Sequence, residues 1–171
     1  MVKLEKFIRD IPDFPKKGII FKDITPLIGD PKAFKTVINL LAKKYQNQKI
    51  DKILCVESRG FIFASALSYK LGIGIVPVRK KGKLPYKTTK ETYSLEYGTD
   101  TLEMHIDAFQ KGARILIIDD LLATGGTVTA CTRLVKKLGG KVAGLGVVIE
   151  LEFLHGRDKL RNHDVYSIIK Y

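Results

Sequence analysis

Along the 171 residues, apolar runs of strand length alternate with segments whose apolar positions recur at helical spacing. Asp30-Pro31 marks a helix start, with an N-cap carboxylate before a residue whose φ is already set. Phe34, Ile38, Leu41 and Tyr45 then share one helical face, and residues 46–49 close the segment. Residues 53–56 read as a buried strand, 61–69 as a helix ending before Gly72, and 74–78 as a second strand. The run 115–118 is continuous and rich in β-branched residues, as in a central parallel strand covered on both faces. Val128, Cys131, Val135 and Leu138 line the next helix, which Gly139 and Gly140 stop. Residues 142–149 and 165–169 are the last strands. Between these regular segments, 102–109 reads as a short helix and 93–97 as a strand candidate. The polar stretch 79–92 is too long for a routine connection and reads as a functional loop.

This β–α alternation predicts an α/β fold, an open and mostly parallel twisted sheet flanked by helices, in a single domain over residues 1–171. Ligands in such folds bind at the carboxyl ends of the strands. Glu57, Arg79 and the pair Asp119-Asp120 each follow a strand and therefore become candidates.

Composition narrows the setting. With 45% hydrophobic and 28% charged residues the chain has an ordinary globular balance. No apolar stretch approaches the roughly 20 residues that cross a bilayer, and residues 1–10 lack a signal-peptide core. Cys55 and Cys131 sit far apart in apolar runs, so buried thiols in a reducing cytoplasm are expected rather than a disulfide. The net charge of +12 suits any polyanion, whether nucleic acid, membrane surface or phosphorylated metabolite. The placement of the basic residues has to decide among them.

The strongest local signal is the segment 118–127. An apolar strand ends in Asp119 and Asp120, and a short loop with Ala123, Thr124, Gly125, Gly126 and Thr127 opens directly into a helix. Glycines let the backbone approach an anion closely, free N–H groups at a helix start donate to it, and the threonines add hydroxyls. Such a nest suits a phosphate monoester, and two adjacent acids beside it suit the hydroxyls of a ribose or the waters of a magnesium ion. A glycine turn with an acidic N-cap pair is the plain structural alternative, and the full combination makes it a poor competitor. Ser58 and Arg59, where a strand meets a helix, can also bind an anion. Arg79, Lys80, Lys81 and Lys83 form a basic run after a strand end.

The segment 114–127 resembles the 5-phosphoribosyl 1-pyrophosphate signature of the type I phosphoribosyltransferases. Segments 11–15, 18–26, 57–61, 79–85 and 93–98 resemble, in order, the members of that family that use adenine, so the likeness runs from about Pro12 to Ile168. The resemblance implies a small N-terminal base-covering hood over about residues 1–30 and a flexible loop over about 79–97. It implies that residues 123–127 wrap the 5-phosphate and that Asp119 and Asp120 serve the ribose hydroxyls. Ser58, Arg59, Arg79, Lys80 and Lys83 would meet the pyrophosphate, with Arg59 and Lys83 counted as catalytic. Ile20, Phe21 and Lys22 would meet the adenine, with Leu151 as an opposite wall. Lys22 stands where many members carry Arg, and Glu57 where some carry Asp.

The implied reaction is transfer of the phosphoribosyl group to adenine, giving AMP and pyrophosphate in purine salvage. Mg²⁺ would be held mainly by substrate and water near Asp119 and Asp120. Positive charge builds on the sugar and negative charge on the leaving group, so cations and firm positioning are what the step needs. Glu96 matches the family residue that exchanges a proton with the purine. The counterpart of Arg79 can act on a neighbouring subunit's site, which implies a homodimer.

Several other chemistries do not fit. The third glycine of a dinucleotide fingerprint after Gly72 is replaced by Pro77, no P-loop is present, and His105, His155 and His163 lack metal spacing. Two rivals stay open. Hypoxanthine- or xanthine-using relatives share the phosphoribose motif but usually carry a Lys on a late strand, and residues 147–151 have none. A regulator that binds nucleic acid is permitted by the charge, although neither a specific nucleic acid nor a membrane is expected as partner.

Overall fold

A computed structural model describes residues 3–94 and 98–171. After a 3₁₀ turn (Leu4–Phe7) comes a hairpin, β1 (Arg9–Pro12) and β2 (Ile20–Asp23), which forms a separate two-stranded antiparallel sheet. A short helix α1 (Thr25–Gly29) leads to α2 (Pro31–Tyr45), β3 (Lys52–Val56), α3 (Arg59–Leu71) and β4 (Ile75–Lys80). Then come β5 (Thr88–Ser94), β6 (Thr99–His105), β7 (Arg114–Leu122), α4 (Gly126–Lys137), β8 (Lys141–Glu150) and β9 (Val165–Lys170). The Asp30 carboxylate accepts from the Ala33 N–H at 2.7 Å, capping α2. Gly72, at φ +68°, ends α3 in the left-handed conformation that a side chain would disfavour.

The main sheet has the order β5-β6-β4-β3-β7-β8-β9. Strands β4, β3, β7, β8 and β9 are parallel, and β6 joins antiparallel between β4 and β5. The pleat sends alternate residues to opposite faces. Ile53, Cys55, Leu116 and Ile118 join the core built with α2 and α3, while Leu54, Val56, Ile115 and Ile117 join the core under α4. Both faces are therefore covered, which is why β3 and β7 read as unbroken apolar runs. Tyr45 closes the first core: its ring lies over Gly144 and Gly146 of β8, and its hydroxyl donates to the Leu145 carbonyl at 2.9 Å. A Cβ on Gly146 would come within 2.7 Å of Ile118 and 3.2 Å of the Tyr45 ring, so this packing needs that strand bare.

Three expectations change. Residues 102–109 do not form a helix. Thr99–His105 is strand β6, in which Leu102 and Met104 point at period two into the α4-side core, and pairing with β4 and β5 supplies the backbone bonds. The long loop over 79–92 shrinks to residues 81–87, because β4 runs to Lys80 and β5 starts at Thr88. Finally, Asp119 and Asp120 do not end their strand; β7 continues to Leu122, paired with β8 through Leu122 and Glu150.

The crossover after β3 leads through α3 to β4 on one side, and that after β7 leads through α4 to β8 on the other. Strand order thus reverses between β3 and β7, and a crevice opens beyond their carboxyl ends.

Candidate active site

That crevice holds a cavity of about 620 Å³. Its floor is the end of β3 with residues 57–59. One wall is the stretch from Asp119 to Val128, and the rest comes from Phe21, Lys80, Lys83, Tyr93, Asp100 and Leu102.

On the β7 side, Gly125 has φ +78° and caps α4, with no side chain bonded to the cap. The N–H groups of the first turn, the orphan donors of any helix start, therefore have no side-chain cap competing for them. The Thr127 hydroxyl reaches the Tyr93 hydroxyl at 3.4 Å, linking the helix start to β5. Asp119 and Asp120 lie just before the loop, both buried. Burial raises both carboxyls above the usual range; the Asp120 charge pushes Asp119 further up, whereas Arg59 pulls Asp120 back down. The Asp120 N–H donates to Asp119 Oδ1 at 2.8 Å. Arg59 Nη2 lies 2.8 Å from Asp120 Oδ2, but the N–H is not aligned on it, so charge pairing rather than a directed hydrogen bond joins them.

Gly60 makes this junction possible. A Cβ there would meet Asp119 Oδ1 at 2.9 Å and the Ile118 carbonyl at 3.3 Å, so the start of α3 lies directly against the end of β7.

Opposite this wall the groups are basic and organised by one carboxylate. Glu57 accepts from the Lys80 N–H at 2.6 Å and from Arg79 Nε at 3.0 Å, and lies 3.9 Å from Lys83 Nζ. Burial works to raise its carboxyl, but these hydrogen bonds and charges together hold it below the usual range. Arg79 also donates to the Lys83 carbonyl at 3.1 Å, and Glu103 accepts from the Gly82 N–H at 2.9 Å, so the turn carrying Lys80 and Lys83 is tied at several points. The Glu57–Ser58 peptide is cis.

Of the residues singled out in the sequence, Ser58, Arg59, Lys80, Lys83, Asp119, Asp120 and 123–127 meet at this cavity, together with Phe21. The Phe21 ring lies under the Arg59 guanidinium at 4.9 Å and edge-on to Phe14 at 5.2 Å. Four others stand off the wall. Ile20 is 56% exposed, Leu151 is packed in the core beside α2 and α3, and Arg79 is turned onto Glu57. Lys22 points its ammonium at Asp10 and over the Tyr171 ring at 3.7 Å, and offers the site only its carbonyl, which accepts from Arg59 at 3.4 Å. Glu96 lies outside the described residues. Tyr93 and Gly60 fall within segments 93–98 and 57–61 without being singled out there, and Asp100 has no signal in the sequence, because a lone Asp carries no pattern until strand pairing places it. Among the described residues no group of three or more His, Cys, Asp or Glu could hold a metal by itself.

A helix start without a side-chain cap, a buried acid pair and a cationic turn line one switch-point crevice, an arrangement that can receive a phosphorylated sugar with a second anionic group. Residues 27–170 match the phosphoribosyl transferase domain family, and the chain belongs to that family. Within it, the adenine phosphoribosyltransferase of Syntrophotalea carbinolica is 57% identical over 171 residues, the whole of both chains. The crystal structure of adenine phosphoribosyltransferase from Thermoanaerobacter pseudethanolicus is 54% identical, with a TM-score of 0.96 over 99% of this chain and 98% of that one. The Saccharomyces cerevisiae enzyme, crystallised with an imino-altritol bisphosphate and adenine, is 40% identical with a TM-score of 0.91 over 97% and 96% of the two chains.

Proposed function

We propose that the chain transfers the 5-phosphoribosyl group of phosphoribosyl pyrophosphate to adenine, giving AMP and pyrophosphate, as a step of purine salvage. One observation carries the reading: a helix start without a side-chain cap and a cationic turn line one cavity, in a chain 57% identical over its full length to an adenine phosphoribosyltransferase.

The first-turn N–H groups of α4, with Thr124 and Thr127, hold the 5-phosphate, and Asp119 and Asp120 accept from the ribose hydroxyls. The bond from the anomeric carbon to pyrophosphate breaks as adenine N9 bonds to that carbon. Arg59, Lys80, Lys83 and the backbone at Ser58 take up the charge of the departing pyrophosphate. Phe21 offers a flat apolar face to the base, and Arg59 stacked on it ties the hood hairpin to the acid pair. Glu96 exchanges the purine proton. Mg²⁺ suits the site because it prefers a carboxylate or two plus substrate oxygens and water, which is what Asp119 and Asp120 beside a pyrophosphate would give; its charge would screen the leaving group.

A homodimer is part of the same reading. Ile62, Ser65 and Tyr69 form an exposed stripe on α3, with Tyr69 92% exposed. The two free cysteines, both buried, fit a cytoplasmic setting; among the described residues no helix is long and apolar enough to cross a membrane.

The test is a base panel with phosphoribosyl pyrophosphate and magnesium, reading nucleotide formed from adenine, hypoxanthine and guanine. Adenine should be used at least about a hundredfold more efficiently, since a site that pairs a purine edge rejects the analogue that leaves its groups unpaired. Better use of hypoxanthine or guanine would overturn the specificity and leave the family standing.

A further inference from the structure

The space for the 5-phosphate loop is set by a segment far away in sequence. Between β8 and β9 the chain passes through two short 3₁₀ turns, Glu152–Leu154 and Gly156–Leu160, with His155 between them at φ +51°. This brings Gly156 directly against the loop. A Cβ on Gly156 would overlap the Ala123 carbonyl oxygen outright and lie 2.8 Å from the Gly125 nitrogen. Reciprocally, a Cβ on Gly125 would lie 2.5 Å from the Gly156 carbonyl oxygen. The two glycines meet backbone to backbone with no side chain between them, at the residue whose left-handed φ opens the start of α4.

The next residue fastens that contact. Arg157 bonds Glu150 through two nitrogens, at 2.8 and 2.5 Å, and also donates to the Val165 carbonyl at 2.9 Å and the Ser167 hydroxyl at 3.0 Å. The Ser167 hydroxyl in turn donates to Glu150. Glu150 is 3% exposed and sits opposite Leu122, one residue before Ala123, so the clamp is anchored on the same ladder pair from which the loop departs. Glu150 is buried while the Arg157 side chain is 41% exposed, and the two-nitrogen geometry of the pair gives the segment a fixed position. None of these side chains lines the cavity.

We propose that Gly156, fixed by the Arg157–Glu150–Ser167 cluster, is a positioning residue for the 5-phosphate: it sets the backbone of 123–125 from behind. The inference rests on the phosphoribosyl reading of that loop, but not on which base is used. A loop displaced by part of an ångström loses aligned N–H donors to the phosphate while the pyrophosphate side, across the cavity, is untouched.

The experiment compares Gly156→Ala, Ser167→Ala, Arg157→Lys and the control Lys159→Ala, an exposed position on the same segment. Ribose 5-phosphate and pyrophosphate binding are titrated separately, and KM is measured for each substrate. Gly156→Ala should weaken ribose 5-phosphate binding and raise KM for phosphoribosyl pyrophosphate by about tenfold or more, since small misplacements at a positioned site have effects of that size. Pyrophosphate binding and KM for adenine at saturating donor should not move. Ser167→Ala, which leaves the backbone contact intact and guards against a Gly156 variant that fails to fold, should give roughly a twofold to threefold weakening of ribose 5-phosphate alone. Arg157→Lys should fall between Ser167→Ala and Gly156→Ala, and Lys159→Ala should match the wild type. Equal loss of both ligands, or loss of kcat with every binding constant unchanged, would overturn the proposal. Ribose 5-phosphate binding needs no turnover, so a wild type that binds it without using adenine would count against the adenine reading alone.

Discussion

Replacing Arg59 with Met removes the cation that joins three parts of the site. The side chain pairs with Asp120 at 2.8 Å, stacks on Phe21 and donates to the Lys22 carbonyl at 3.4 Å, so it links α3, the end of β7 and the N-terminal hairpin. Asp120 is 8% exposed in its side chain and Arg59 30%, which places the pair between a surface bridge and a fully buried one. Breaking a buried pair costs about 3–5 kcal/mol and losing an exposed one about 0–1, so roughly 2 kcal/mol is appropriate here. Loss of the stacking on Phe21 adds about 0.5–1 kcal/mol. For a chain of this length the sum corresponds to a fall in Tm of roughly 5–10 °C. The pH dependence is the sharper part. The Asp120 carboxyl is already raised by burial and the Arg59 charge is the strongest influence holding it down, ahead of hydrogen bonding at Asp119 and its own backbone, so without that charge it rises further. A raised carboxyl favours the folded state below its unfolded pKa and costs stability as pH rises through the folded value. The Tm gap between wild type and Arg59→Met should therefore be widest near neutral pH and narrow as pH falls and Asp120 takes up a proton in both. Calorimetry across that range is the assay, with kcat/KM for phosphoribosyl pyrophosphate expected to drop about a hundredfold. A Tm gap that is absent, or that does not narrow in acid, would refute the pairing.

The same linkage gives opposite signs for stability and activity at Asp119. Asp119→Asn removes a carboxylate whose ionised form burial disfavours, so Tm should rise at neutral pH while turnover falls at least about a hundredfold; a lowered Tm would show that the charge is better compensated than the geometry indicates. Glu57→Gln should loosen the turn carrying Lys80 and Lys83, raising KM for phosphoribosyl pyrophosphate and the Kd of pyrophosphate by about tenfold with KM for adenine unchanged. An unchanged pyrophosphate affinity would mean that Glu57 does not organise that turn. Glu96→Gln, assayed with adenine, should slow the chemical step by about a hundredfold or more; near-normal turnover would remove Glu96 from the proton exchange.

The parallel strands and their helices could be read from the sequence because each is local: an unbroken β-branched run or a 3.6-residue period already states which faces are covered. The carboxylate pair and the Thr-Gly-Gly-Thr helix start were legible for the same reason, since all their atoms lie within ten residues of chain. The strand β6 was not, because Leu102, Ile106 and Phe109 recur at helical spacing and compete with the period-two signal of Leu102 and Met104, and pairing with β4 and β5 decided it. Nor could sequence show that Lys22 turns its ammonium to Asp10 and Tyr171, or that Arg79 is held by Glu57, because those partners come from other elements. Gly156 is the extreme case: a single glycine in a polar segment, whose meaning appears only when Gly125 is found against it.

The claim that the β7–α4 loop is where the phosphoribosyl donor binds is tested most directly by titrating phosphoribosyl pyrophosphate with magnesium into the wild type and into Gly125→Ala. A side chain at φ +78° facing the Gly156 carbonyl at 2.5 Å cannot be accommodated without moving the loop. One donor should bind per wild-type chain, and the variant should bind it at least about tenfold more weakly while its affinity for pyrophosphate alone is kept. Equal donor affinity in the two proteins would contradict the assignment of the loop.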